Sequence, residues 1–251
     1  MRSDHPTPAQ RPGLEALWAQ AFGDPAEFIR DFFETAYDPG RCLCVTEGEK
    51  VLAALYWFDC AWEGRPVAYI YAVATAEAAR GRGLCRGLME RCLALLRARG
   101  YSGALLAPAG EALFRMYEKM GFVCPLTIRE FPALAGPTPA RVTAIEPAEY
   151  AALRREALPE GGVVQEGENL AFLSRFARFY RGEGCFFAAS MEETHLFSME
   201  FFGDETQIPG ILKALGAETG TFRTPGNDRP FALYAPLTHA PAPQYFALSF
   251  E

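Results

Sequence analysis

Residues 69–99 read YIYAVATAEAARGRGLCRGLMERCLALLRAR, and the fold follows from how this stretch divides. Tyr69 to Ala74 is apolar and aromatic, with β-branched Ile70 and Val73, which predicts a buried strand. From Leu84 the apolar residues Leu84, Leu88, Cys92, Leu95 and Leu96 recur at three- and four-residue steps, the period of one helix face. Gly100 follows Arg97 and Arg99, a stop signal after cations that suit the helix dipole. Between strand and helix lies Arg80-Gly81-Arg82-Gly83. Its two glycines let the backbone come close to a ligand, and the helix behind them begins with unpaired N–H groups and a partial positive charge. Arg80, Arg82 and Arg86 add guanidinium groups suited to phosphate, Arg82 between its glycines most of all. The turn predicts a phosphate-bearing ligand.

Upstream, Leu14 to Phe22 and Glu27 to Thr35 read as helices, with Asp24 as the cap of the second and Pro25 at its first position. Arg41 to Thr46 and Val51 to Asp59 form a hairpin pattern about Glu47-Gly48-Glu49, and Glu63-Gly64 turns the chain into the central strand. Downstream come a short strand (Gly103 to Leu106), a helix (Glu111 to Met120) closed by Gly121, and a strand (Phe122 to Phe131). Tyr37, Tyr56, Trp57, Phe58, Trp62 and Tyr71 are too many to line one pocket; strand alternation assigns about half to the core.

This order and turn resemble the GNAT superfamily of acetyl-CoA-dependent N-acyltransferases. Arg80-x-x-Gly83-x-Cys85 matches the Arg/Gln-x-x-Gly-x-Gly/Ala signature except at Cys85, and Met116-Tyr117-Glu118-Lys119-Met120-Gly121-Phe122 is similar to the family's FYxxxGF-like ending. The likeness runs from about Leu14 to Phe131. It implies an α/β (α+β) fold with a mixed, mostly antiparallel sheet flanked by helices, and acetyl-CoA as cosubstrate. The pantetheine arm would pair with Val73, Ala74 and Thr75, and the pyrophosphate would sit on Gly81, Arg82, Gly83, Leu84, Cys85 and Arg86, with Arg80 opening the motif. Tyr117 would return a proton to the leaving sulfur. The central strand lacks the acid that many relatives carry there. Asp59, Glu34 and the terminal carboxylate of Glu251 are the candidates for general base, the last because the tail QYFALSFE is apolar enough to dock.

After Phe131, LAGPTPA reads as a linker, dividing the chain into residues 1–135 and 136–251. FLSRFARFYRGEGCFFAAS in the second half parallels FIRDFFETAYDPGRCLCVT in the first. Tyr150 to Ala157 and Leu170 to Tyr180 read as helices, His195 to Phe202 as a strand and Ile208 to Leu215 as a helix. Thr219 to Arg223 with Pro230 to Leu237 reads as a closing hairpin. The turn Gly203-Asp204-Glu205-Thr206-Gln207 is acidic, so the second half reads as a smaller, degenerate GNAT-like domain without a CoA turn.

The net charge of −7 argues against a nucleic-acid partner, and no apolar run reaches the length of a membrane span. The polar N-terminus and seven cysteines without a CxxC pair suggest reduced thiols in a cytoplasmic protein, with no metal site. A dinucleotide-binding βαβ unit, the competing source of a glycine turn, requires the strand to run straight into the first glycine; here Thr75 to Arg80 intervene. The expectation is an N-acetyltransferase acting on a primary amine of a small molecule or peptide, as a monomer or homodimer. The alternative is a non-catalytic acyl-CoA-binding or regulatory protein on the same fold.

Overall fold

The computed structural model describes residues 2–250. The chain forms two compact units, one running to Cys124 and taking in Leu233–Ala242, the other comprising Pro125–Ala232 and the segment from Pro243 onward. Thus the strand that follows Phe122 falls with the second unit, and a late segment returns to the first.

The first unit opens with β1 (Arg2–Asp4), α1 (Arg11–Phe22) and α2 (Ala26–Thr35), followed by β2 (Cys42–Glu47), β3 (Lys50–Trp62) and β4 (Arg65–Thr75). Then come α3 (Leu84–Ala98), β5 (Gly103–Leu106) and α4 (Glu111–Glu118). β1 to β4 pair antiparallel in chain order, and β5 lies parallel to β4. Antiparallel pairing of β3 with β4 removes the dinucleotide-binding alternative, which needs successive parallel strands. One face of this sheet packs Leu43, Leu55, Trp57 and Ile70 against Leu88, Met89, Cys92 and Leu96 of α3. The other face meets α1 and α2 through aromatic rings, with Trp18 between Tyr56 and Tyr71 and Phe32 against Phe58.

Asp24 does not cap α2. Pro25 stands at the cap without a side-chain bond, and Asp24 Oδ2 instead accepts from the indole of buried Trp18 at 2.7 Å. An indole N–H in a core requires an acceptor, and the nearby carboxylate supplies it.

The second unit contains β6 (Cys124–Leu134), β7 (Val142–Ile145), α5 (Pro147–Ala157), α6 (Glu168–Leu173), β8 (Arg178–Gly182), β9 (Cys185–Glu192) and β10 (His195–Gly203). α7 (Ile208–Leu215), β11 (Thr219–Pro225) and β12 (Arg229–Pro236) complete it, the last four residues of β12 pairing with β5 in the first unit's set. Gly103 at the start of β5 is required there, because any Cβ would meet the Tyr234 ring.

Two expected elements differ. The helix read through Tyr180 ends at Leu173, and Arg178–Gly182 is strand β8, paired on both sides by β7 and β9. β11 and β12 are not a hairpin, because β6 lies between them. β11 pairs along β6 from Thr219↔Leu134 to Pro225↔Ile128. The connecting loop wraps the start of β6, with Asp228 N–H donating to the Ile128 carbonyl and Thr127 Oγ1 to Asn227 Oδ1.

The second unit repeats the first's plan. β10 runs antiparallel to β9 and parallel to β11, with α7 as the crossover, as β4 does with β3, β5 and α3. Each central strand also carries a bulge, at Ala72–Val73 in β4 and Met199 in β10. The apolar tail is buried from Tyr245 to Phe250 within the second unit, where Val163 N–H donates to the Tyr245 carbonyl and Gln165 Nε2 to that of Leu248.

Candidate active site

β4 pairs with β5 only from Val67↔Gly103 to Tyr69↔Leu105. Beyond that point the two strands part. On the other side, Leu55 of β3 faces both Ala72 and Val73, since the register passes from Tyr56↔Tyr71 to Ala54↔Ala74. Ala72 takes a left-handed φ of 47°, an uncommon conformation for alanine. A bulge bends the strand away from its parallel neighbour and leaves main-chain groups of Ala72, Val73, Ala74 and Thr75 facing a gap instead of a strand. The pantetheine arm was expected along Val73, Ala74 and Thr75 of this edge.

Immediately after β4, Gly81 and Gly83 have φ of 76° and 75°, and space lies open beyond both. Gly83 is the cap of α3 and provides no side-chain acceptor. The first main-chain bond of the helix comes from Gly87 to the Gly83 carbonyl, so the N–H groups of Leu84, Cys85 and Arg86 point out of the helix start. Over a 15-residue helix these groups and the dipole form an anion site. Arg80, Arg82 and Arg86 are all exposed beside it. Arg82 Nη2 meets Glu47 Oε1 at 3.3 Å, a solvent-exposed contact that an anionic ligand can replace. Cys85, the departure from the signature, is partly buried; its thiol lies near the Tyr117 phenol, and burial raises its pKa. The turn itself stays free of side chains, so these residues fit a pyrophosphate.

Tyr117 lies on α4 with 7% exposure, its ring edge-on to Phe122. Burial pushes its phenol well above the ordinary value, and the Cys85 thiol adds to this. The hydroxyl therefore stays protonated at neutral pH, as a proton donor requires.

The structure does not bring Asp59 to this place. It lies opposite Ala68, four residues before the bulge, roughly 13 Å along the strand. Arg41 Nη1 pairs with its carboxylate at 3.0 Å and Tyr101 donates its hydroxyl to it. Glu34 is exposed on α2, and Glu251 lies outside the described residues. Among the described residues no group of His, Cys, Asp and Glu side chains suits a metal, and no helix is long and apolar enough to cross a membrane.

The aromatic face under α1 and α2 was not assigned a role from the sequence. Tyr56, opposite Tyr71 at the bulge, is 2% exposed and its hydroxyl has no partner. Burial raises its pKa well above the usual value. Period-two alternation puts Tyr56 on the helix-covered face, but a missing hydrogen-bond partner has no trace in a sequence.

In the second unit the corresponding helix start is occupied by its own chain. Asp204 Oδ1 accepts from the main chain and hydroxyl of Thr206 at 2.9 and 2.7 Å, and Glu205 pairs with Arg129 through both oxygens at 2.9 and 2.6 Å. At the β10 bulge, Glu200 is fully buried beneath Arg154 and Tyr150.

Residues 4–124 match the family described as Acetyltransferase (GNAT) domain. No curated protein matches the sequence. Among solved structures, the GCN5-related N-acetyltransferase from Kribbella flavida is similar at 20% identity, covering 93% of this chain and 70% of its own, with a TM-score of 0.66. The GCN5-related N-acetyltransferase from Anabaena variabilis gives 14% identity, 94% and 73% coverage and a TM-score of 0.72. A Pyrococcus horikoshii protein gives 16% identity, 98% and 91% coverage and a TM-score of 0.68. At these identities the likeness to solved structures is one of fold. Together with the family match over residues 4–124, it gives the chain a GNAT-type fold with a GNAT acetyltransferase domain in its first half, and a second unit that repeats the same strand plan.

Proposed function

We propose that this protein is an N-acetyltransferase that uses acetyl-CoA to acylate a primary amine of a small molecule or peptide by direct attack. The observation that carries this reading is the adjacency of the opened β4 edge to the uncapped, glycine-flanked start of α3. Gly81, Gly83 and the N–H groups of Leu84, Cys85 and Arg86 hold the pyrophosphate, with Arg80, Arg82 and Arg86 around it. Main-chain groups of Val73, Ala74 and Thr75 align the pantetheine arm. Acetyl-CoA supplies an activated thioester. N–H groups at the bulge stabilise negative charge developing on the carbonyl oxygen, and Tyr117 gives its proton to the departing sulfur. The acceptor approaches over the aromatic face bearing Tyr56 and Tyr71.

The second reading, an acyl-CoA-binding protein without turnover, is favoured by one observation: β4 carries no carboxylate to take the amine's proton. Calorimetric titration with acetyl-CoA followed by thiol-release assays over a panel of amines separates the two. Binding near one site per chain with turnover of at least one amine supports the enzyme. Binding without turnover across the panel supports the second reading, and absence of binding removes both.

A further inference from the structure

We propose that the second unit carries a separate binding site for a small apolar carboxylate, on the part of its sheet that α7 leaves uncovered. α3 has 15 residues and α7 only eight, about 22 Å of helix against about 12 Å. In the first unit, the start of β2 and end of β3 on the α3 face are covered. Arg99 lies over the Trp57 ring, donating to the Gly40 carbonyl and to His5. In the second unit the shorter helix covers Phe187, Phe201 and Phe222 and stops. A cavity of about 210 Å³ remains at the start of β8, the end of β9 and the start of β10.

Its lining has two parts. Tyr180, Ala189 and Leu196 form an apolar floor continuous with the core. Arg175, Arg178 and Ser190 provide polar groups around it. Arg178 Nη1 donates to the carbonyls of Ser174 and Ala177 at 3.1 and 3.5 Å, which leaves the rest of its fork free for a ligand. Arg175 forms no side-chain hydrogen bond or ion pair among the described residues. Glu192 and Glu193, on the β9–β10 turn, pair with neither arginine. Two guanidinium groups without a carboxylate partner, on a chain of net charge −7, select an anion. The floor selects an apolar body. The volume is below the roughly 300–1,000 Å³ of most ligand pockets, which limits the ligand to one aromatic ring or a short alkyl chain.

Benzoate is the probe. The full chain, labelled at its methionine methyl groups, is titrated and followed by NMR, with Met191 at the cavity as reporter, assigned through Met191→Leu. Met89, in the first unit's core, is the internal control. A saturable shift of Met191 with an unmoved Met89 is expected. Benzamide, which lacks the charge, and inorganic phosphate, which lacks the ring, should each bind about tenfold more weakly. Arg175→Gln should weaken benzoate several-fold and Arg175→Gln with Arg178→Gln about tenfold, with unchanged remaining methionine signals certifying the fold. No saturable shift, benzamide or phosphate equal to benzoate, or affinity unaltered in both variants would overturn the site.

Discussion

Glu200 Oε2 accepts from Arg154 Nε at 2.6 Å, and both side chains are buried in the second unit. Arg154 Nη2 reaches the other carboxylate oxygen at 3.0 Å, Tyr150 donates to Glu200 at 2.7 Å, and Arg154 Nη1 holds the Val163 carbonyl at 3.0 Å. The pair seals the bulge of β10, whereas the bulge of β4 is bordered by a gap. Removing one partner strands the other's charge in the interior. Arg154→Met should therefore cost about 3–5 kcal/mol, read from chemical denaturation, and Arg154→Met with Glu200→Leu should recover part of it. A loss below about 1 kcal/mol for the single variant would show that the pair is solvated.

Gly83 separates conformational from electrostatic demands at the turn. Gly83→Ala strains a left-handed residue by about 1 kcal/mol, but its Cβ enters open space, so a modest loss of acetyl-CoA affinity is expected. Gly83→Glu adds a carboxylate where phosphate is to sit and should abolish binding in the same titration. Equal affinity for both variants would remove the anion site.

Tyr117→Phe deletes a hydroxyl with no hydrogen-bond partner among the described residues, so the fold should be unchanged. If the phenol is the proton donor, kcat should fall by about 10²-fold or more. An unaltered rate across the pH range would return Tyr117 to the core, beside Phe122.

Asp59→Asn tests the residue that the structure draws away. Its partners Arg41 and Tyr101 lie at a partly exposed surface, so the expected stability loss is below about 1 kcal/mol. The pH profile of kcat/KM should match that of the unaltered protein. A lost alkaline-rising limb would make Asp59 the base.

Burial raises the phenols of Tyr56, Tyr117, Tyr150 and Tyr245 above the ordinary value of 10.0. Above about pH 10 the unfolded chain loses these protons while the folded chain retains them, so the unfolded state binds fewer protons and stability falls as pH rises. The denaturation midpoint should decline between about pH 9 and about pH 11, and tyrosinate absorbance from these residues should appear only with unfolding. A midpoint independent of pH in that range would contradict their burial.

The features legible in the sequence are those encoded by neighbouring residues. The RGRG turn, the α3 face from Leu84 to Leu96 and the Glu63-Gly64 reversal each depend on local φ preference or a short hydrophobic period. The MYEKMGF ending is recognisable as a motif, and its helix-then-glycine order agrees with α4 and the turn at Gly121. The tertiary structure decided matters that depend on residues distant in the chain. Asp24 serves the Trp18 indole instead of capping α2, and Asp59 is held by Arg41 and Tyr101. Arg178–Gly182 is a strand because β7 and β9 lie on either side, and β6 parts β11 from β12 by lying between them, paired along the whole of β11. The bulge at Ala72–Val73 is a mismatch in register between two strands. It exists only once Tyr56 faces Tyr71 and Ala54 faces Ala74, so no single stretch records it.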